Sequence, residues 1–129
     1  MKNTFSDALV RISTSRCTPG HLVLELRLPW YRTLPLSVVE FAAIELDGQA
    51  LPLAGATLAL DGQSYPLDAM PTLTQAQWFV LDSAYLSLPV LGFDPAQRHA
   101  AAVLMKLYPP YIPMLVWVTR GTTPQEVAA

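Results

Sequence analysis

Alternating apolar and polar positions dominate the chain and predict β-strands rather than helices. In His21–Leu28 every second residue is a leucine, and the residues between the leucines include Glu25 and Arg27. A period of two places alternate side chains on opposite faces of an extended segment, so one face of this strand is predicted to be buried.

Six further segments are predicted to be strands: Phe5–Ile12, Ser37–Leu46, Gln77–Asp82, Ala84–Val90, Arg98–Tyr108 and Leu115–Thr119. The fifth of them contains three successive alanines and could be mistaken for a helix. It has no helix caps and continues into a proline-rich segment, which favours a buried central strand.

A short motif occurs twice, as Leu46-Asp47-Gly48-Gln49 and as Leu60-Asp61-Gly62-Gln63. Asp-Gly between apolar runs predicts a β-hairpin, because glycine readily supplies the positive φ of a type I′ turn. Calcium binding by these aspartates is disfavoured, since neither segment supplies the further carboxylates of a calcium loop.

These patterns predict an all-β fold, an antiparallel β-sandwich of about eight strands that is immunoglobulin-like or fibronectin-III-like. The twelve prolines suit loops and edge strands. Residues 1–120 are predicted to form the single domain and residues 121–129 a flexible C-terminal tail.

The composition points to a partner subunit. Hydrophobic residues make up 52% of the chain and charged residues only 14%, whereas a typical soluble domain has about 25% charged residues. A permanent interface would cover part of such a surface.

No apolar run is long enough for a membrane helix, and a net charge of −2 offers no basic surface for nucleic acid. The N-terminus lacks a signal-peptide pattern and Cys17 is the only cysteine, so a cytoplasmic location is expected.

The connection Pro29–Glu40 carries unusual chemistry for a loop, with Trp30, Tyr31 and Arg32 close together. Strict alternation would put Glu40 on the same face as buried aliphatic residues, so it needs a partner, and Arg32 is the predicted one. A structural ion pair is favoured over an acid/base or anion-binding pair.

Four aromatic residues in proline-bounded segments, Trp30, Tyr31, Tyr108 and Tyr111, are predicted to be interface anchors rather than core residues. No catalytic or metal-binding set is predicted. His21 and His99 are not at ligand spacing and are expected at strand starts, and Cys17 is expected to be a plain, partly buried thiol.

The chain resembles the small β subunit of bacterial C-glycoside deglycosidases between about Leu22 and Met114. The resemblance rests on these residues: Arg27-Leu28-Pro29-Trp30-Tyr31-Arg32, Leu36-Ser37, Glu40, Asp47-Gly48, Gly62-Gln63-Ser64-Tyr65, Leu67, Met70, Trp78 and Tyr108 to Pro113.

This resemblance implies a heteromeric carbon–carbon lyase in which the chain is a non-catalytic accessory subunit. The α subunit would be a TIM barrel similar to sugar-phosphate isomerases, with a divalent metal, commonly manganese. The metal would polarise the 3-keto group of an oxidised glycoside, and a base on the α subunit would remove the C2 proton so that the aglycone, for example a flavonoid, leaves from C1. Trp30, Tyr31, Arg32, Tyr108 and Tyr111 would then form a partner interface or part of the substrate mouth.

Two alternatives remain open from the sequence. A carbohydrate-binding module would use Trp30 and Tyr31 as a stacking platform for sugar rings. A self-assembling structural sandwich would bury the same residues in a homodimer.

Overall fold

The computed structural model describes residues 10–13, 15–28, 32–80, 82–97, 99–108, 110, 112 and 114–123. The strands are β1 (Val10–Ile12), β2 (His21–Arg27), β3 (Leu34–Pro35), β4 (Val39–Leu46), β5 (Gln49–Leu51), β6 (Thr57–Leu60), β7 (Gln63–Pro66), β8 (Gln77–Trp78), β9 (Ser83–Pro89), β10 (Ala101–Leu107) and β11 (Trp117–Thr122). Two 3₁₀ helices, Leu36–Val38 and Leu67–Thr72, complete the described elements. Among these residues no helix has the length and apolar character that crossing a bilayer requires.

The strands form two main antiparallel sheets. One has five strands in the order β1-β2-β9-β6-β7, and the other has four in the order β11-β10-β4-β5, while β3 and β8 form a separate pair. Buried side chains of both sheets, including Leu24 and Leu86 from the first and Ile44 and Val103 from the second, form a hydrophobic core. The prediction of an all-β antiparallel sandwich is confirmed, and its likeness to immunoglobulin or fibronectin domains stays a prediction.

Most predicted strands are present, with shifted ends. β2 buries its leucines as the alternation predicted, and β10 lies between β4 and β11 as a central strand. The segment predicted to begin at Ser37 forms a turn of 3₁₀ helix first, and the Gln77–Asp82 prediction shrinks to a two-residue strand. β11 continues to Thr122, so two residues assigned to the tail pair with β10. Residues 124–129 lie outside the described residues, and their flexibility stays a prediction.

Both Asp-Gly motifs form the predicted hairpin turns. The φ angles are 54° and 82° at Asp47 and Gly48, and 52° and 78° at Asp61 and Gly62. Positive φ at both central residues is the geometry of a type I′ turn. The first turn joins β4 to β5 and the second joins β6 to β7.

The pairing of β4 with β10 contains a β-bulge at Ala42. Phe41 lies opposite Met105 and Ala43 lies opposite Leu104, so β4 uses one more residue than β10 across this step. Because side chains alternate between faces, one inserted residue exchanges the inner and outer faces of the strand beyond it.

The bulge corrects the prediction for Glu40. Val39 and Phe41 are buried before the bulge and Ile44 and Leu46 are buried after it, whereas Glu40 is exposed. Strict alternation had placed this carboxylate on the face of Ile44 and Leu46. The extra residue therefore lets both halves of β4 contribute to the core without burying a charge.

A polar cluster fixes the first hairpin turn to the segment that enters β10. Asp47 Oδ1 accepts a hydrogen bond from the Ala100 backbone N–H at 2.8 Å, and the Asp47 backbone N–H donates to the Ala100 carbonyl at 2.7 Å. His99 Nδ1 lies 2.6 Å from Asp47 Oδ2, and its Nε2 lies 2.9 Å from the carbonyl oxygen of Asp94. The carbonyl oxygen and the ionised carboxylate oxygen both accept, so this arrangement favours the imidazolium form, in which both ring nitrogens can donate.

Each charge in this cluster stabilises the other. The hydrogen bond to Asp47 raises the pKa of His99 above its ordinary 6.5, more than partial burial lowers it. Partial burial works to raise the pKa of Asp47, but the hydrogen bonds from His99 and Ala100 outweigh it and keep the pKa below the ordinary 3.8. As expected from the sequence, His99 lies just before a strand, and its contacts are structural.

Deleting Ala42 should lower the free energy of unfolding by about 3 kcal/mol or more. Without the extra residue, either Val39 and Phe41 or Ile44 and Leu46 would face outward, and each buried side chain of this size contributes about 1.5–3 kcal/mol. Ala42→Ser keeps the chain length and should cost less than about 1 kcal/mol. Urea unfolding measures both changes, and a deletion variant as stable as the parent would show that the core does not depend on the bulge.

Asp47→Asn should destabilise the protein by about 1 kcal/mol, because asparagine keeps the turn conformation but loses the charge-assisted hydrogen bond. The raised pKa of His99 adds stability that is complete below pH 6.5 and is lost as the pH rises through the folded pKa. The lowered pKa of Asp47 adds stability that is complete above pH 3.8 and is lost as the pH falls through its folded pKa. The difference from the parent should therefore be largest between these two values.

The second hairpin provides the matched control for this experiment. Asp61→Asn changes the same residue in the same turn type, and it should leave the shape of the stability–pH profile unchanged. Equal pH profiles for Asp47→Asn and the parent would contradict the role given to His99.

Candidate functional site

A groove lies beside the first half of β4. β5 pairs only with Ile44–Leu46 of that strand, so within the described residues no strand covers the same edge of Val39–Ala43. The loop after β5 and the 3₁₀ helix Leu67–Thr72 lie across from this edge and leave a groove of about 500 Å³. The groove therefore exists because β5 is shorter than β4.

The groove has an apolar interior and a polar rim. Its apolar lining residues are Val39, Phe41, Leu53, Ala54, Leu67, Met70 and Pro71, and its polar ones are Ser37, Glu40, Asp68 and Tyr108. Leu67 and Met70 are one turn apart in the 3₁₀ helix, whose period of three places them on the same side. That helix therefore supplies one wall, and the start of β4 supplies the other.

Tyr108 and Glu40 form a hydrogen bond at the rim. The Tyr108 hydroxyl donates to Glu40 Oε1 at 2.7 Å. This hydrogen bond to the carboxylate raises the pKa of Tyr108 above its ordinary value of 10.0, because the ionised phenol would face a negative charge without its proton. Lys106 on β10 is the register partner of Glu40. Its neighbours Met105 and Leu107 are buried, so alternation places Lys106 on the outer face of the sheet.

The structure locates only part of the residue set predicted to form an interface. Tyr108 is exposed at 39% and lines the groove, and Arg32 is exposed at the entry to β3. Trp30, Tyr31 and Tyr111 lie outside the described residues. The described contact of Glu40 is with Tyr108, and the Arg32–Glu40 ion pair stays a prediction.

Sequence reasoning did not identify the groove itself. Its far wall is the 3₁₀ helix Leu67–Thr72, for which the sequence patterns predicted no regular element. The spacing of three between Leu67 and Met70 is a signal that could have indicated it. The extent of β5 also could not be read from the alternation, because no polar–apolar alternation marks its end: it is followed by one proline, Pro52, by Leu53 and by small residues up to Ala56.

Other candidate groups in the described residues have structural contacts. The Cys17 thiol is buried and accepts a hydrogen bond from the Val23 backbone N–H at 3.2 Å, which fits the expectation of a plain thiol. No three His, Cys, Asp or Glu side chains of the described residues come together as a metal-binding group.

Comparison with known proteins shows one consistent relationship. A family model described as C-glycoside deglycosidase beta subunit matches residues 7–111, a range that includes every residue lining the groove. A 3'-dehydrocarminate deglycosidase beta subunit from Microbacterium sp. is 37% identical over 89 residues, which cover 69% of this chain and 67% of that protein. A C-glycoside deglycosidase beta subunit from Arthrobacter globiformis is 33% identical over 107 residues, which cover 83% of this chain and 82% of that protein. One from Microbacterium trichothecenolyticum is 33% identical over 106 residues, covering 82% and 80%.

Proposed function

Because this chain belongs to the family of C-glycoside deglycosidase beta subunits, we propose that it is the non-catalytic β subunit of a heteromeric C-glycoside deglycosidase. The observation that carries the proposal is the family match over residues 7–111. The shortage of charged residues supports it, because a chain with 14% charged residues has apolar surface for a permanent partner to cover.

The partner in this proposal is an α subunit with a TIM-barrel fold, similar to sugar-phosphate isomerases, that carries the catalytic residues and a divalent metal such as manganese. Its substrate is a 3-oxo-glycoside, and the relative named for a 3'-dehydro substrate supports this choice. The metal, when bound to the α subunit, would polarise the 3-keto group and so acidify the hydrogen at C2. Loss of that proton to a base of the α subunit would let a C1–C2 double bond form as the bond from C1 to the aglycone breaks. The phenolic ring of the aglycone would take up a proton as it departs.

The β subunit contributes surface rather than chemistry. Tyr108 presents a ring at the rim of the groove, while its hydroxyl is held by Glu40. A ring fixed at one end loses little conformational entropy when a partner covers it, which suits an interface anchor. Trp30, Tyr31, Arg32 and Tyr111 extend this surface in the proposal, either against the α subunit or at the substrate mouth. The complex acts on C-glycosides such as those of flavonoids, in the cytoplasm.

Co-expression with a metal-binding TIM-barrel subunit tests the assignment. Size-exclusion chromatography should show a complex of both chains, and only that complex should release aglycone from a 3-oxo-C-glucoside at full rate. Chelation should abolish the reaction while leaving the circular dichroism of this chain unchanged. Failure to form a complex, or a barrel that is equally active and stable without this chain, would contradict the proposal.

Alanine substitution of the aromatic set should weaken assembly more than folding. Trp30→Ala, Tyr31→Ala or Tyr108→Ala should raise the Kd for the α subunit at least tenfold, since buried aromatic anchors at interfaces typically contribute about 2 kcal/mol or more. Tyr85→Ala is the control, because Tyr85 lies on β9 in the other sheet and packs against Arg16. If the variants unfold at a lower temperature but bind the α subunit with unchanged Kd, these residues belong to the core and not to the interface.

A further inference from the structure

The groove beside β4 has the size of a small-molecule site. Its volume of about 500 Å³ lies within the range of about 300–1,000 Å³ that is usual for ligand pockets. Its floor is already formed in the isolated chain, because Val39, Phe41 and Met70 are buried parts of the core. A ligand would therefore meet a surface that needs little ordering to receive it.

The polar groups of the groove mainly accept hydrogen bonds. Glu40 and Asp68 contribute carboxylates, and no Lys, Arg or His is among the described lining residues, although Lys106 lies outside the lining as the register partner of Glu40. The Tyr108 hydroxyl already donates its hydrogen to Glu40. This arrangement opposes phosphates and carboxylates and favours a neutral molecule that carries hydroxyl donors.

The apolar walls select further among molecules with hydroxyl groups. Phe41, Leu53, Leu67 and Met70 would leave most hydroxyls of a sugar ring without partners, which costs free energy. A flat aromatic ring suits these walls, because it can lie against Leu53 and Leu67, which are partly exposed, whereas Phe41 and Met70 are buried. One or two hydroxyl groups at its edge would then reach the carboxylates at the rim.

We propose that the groove between β4 and the 3₁₀ helix Leu67–Thr72 binds a neutral hydroxylated aromatic molecule, with its ring against Leu53 and Leu67 and its hydroxyl donating to Glu40 or Asp68. The groove consists of residues of this chain alone, so the proposal does not depend on the proposed function. A phenolic aglycone is one molecule of this class, and only that link rests on the proposed function.

Calorimetric titration of the full chain with 2-naphthol tests the site. The methyl ether 2-methoxynaphthalene has the same ring system and lacks only the hydroxyl donor. We expect saturable binding of 2-naphthol and roughly tenfold weaker binding of the ether, as befits one hydrogen bond to a charged acceptor. Equal affinities, or no saturable binding of 2-naphthol, would overturn the proposal.

Two substitutions at exposed alanines distinguish binding of 2-naphthol in the groove from nonspecific binding elsewhere on the surface. Ala54→Trp adds a large side chain to the lining and should reduce 2-naphthol affinity at least tenfold. Ala50→Trp adds the same side chain on β5, outside the lining, and should leave the affinity unchanged. An equal effect of both, or of neither, would show that the ligand binds elsewhere. Glu40→Gln and Asp68→Asn then identify the acceptor, and unchanged affinity in the double variant would also contradict the proposal.

Titrating 2-naphthol into the complex of this chain and the α subunit tests the alternative that a segment of the partner fills the groove. Binding of 2-naphthol to the complex supports a ligand site that stays open after assembly. Loss of binding on assembly would show that the groove is a protein-docking surface and would overturn the proposal. Failure to form any complex bears on the proposed function alone, because the titration of the isolated chain still decides the groove.

Discussion

The inserted residue at Ala42 is the constraint on which much of the structure depends. β4 has core neighbours on both sides of this position, and a strand of regular alternation could not bury Val39 and Phe41 together with Ile44 and Leu46. The bulge also turns Glu40 outward, where it meets the Tyr108 hydroxyl. One additional residue thus decides the composition of the core, the position of a carboxylate and the character of one groove wall.

β4 consequently has two different ends. At its C-terminal end the strand is paired on both edges, and the following turn is held by Asp47 and its contacts with His99 and Ala100. At its N-terminal end one edge faces the groove, and the opposing wall is a 3₁₀ helix. Functional surfaces are often built in this way, with an open, adaptable edge supported by a well-ordered scaffold.

Local sequence features were sufficient where the interaction is itself local. The alternation in β2 and the positive φ that an Asp-Gly pair supplies identify a strand and two hairpin turns without knowledge of the partners. The bulge at Ala42 is different, because a two-against-one pairing depends on which residue of β10 lies opposite. The groove likewise results from the relative lengths of β4 and β5, and no single segment encodes that difference. For this reason the prediction placed Glu40 on the wrong face and did not identify the groove, although it had singled out Tyr108 as an interface anchor.

The environment of Cys17 has a practical consequence. It is the only cysteine of the chain, its thiol is buried, and it receives the Val23 N–H in the segment that joins β1 to β2. An alkylating reagent can reach this sulfur only when that segment opens, so the labelling rate reports the opening equilibrium directly. The protein therefore carries a built-in chemical reporter of local unfolding, which needs no engineered label.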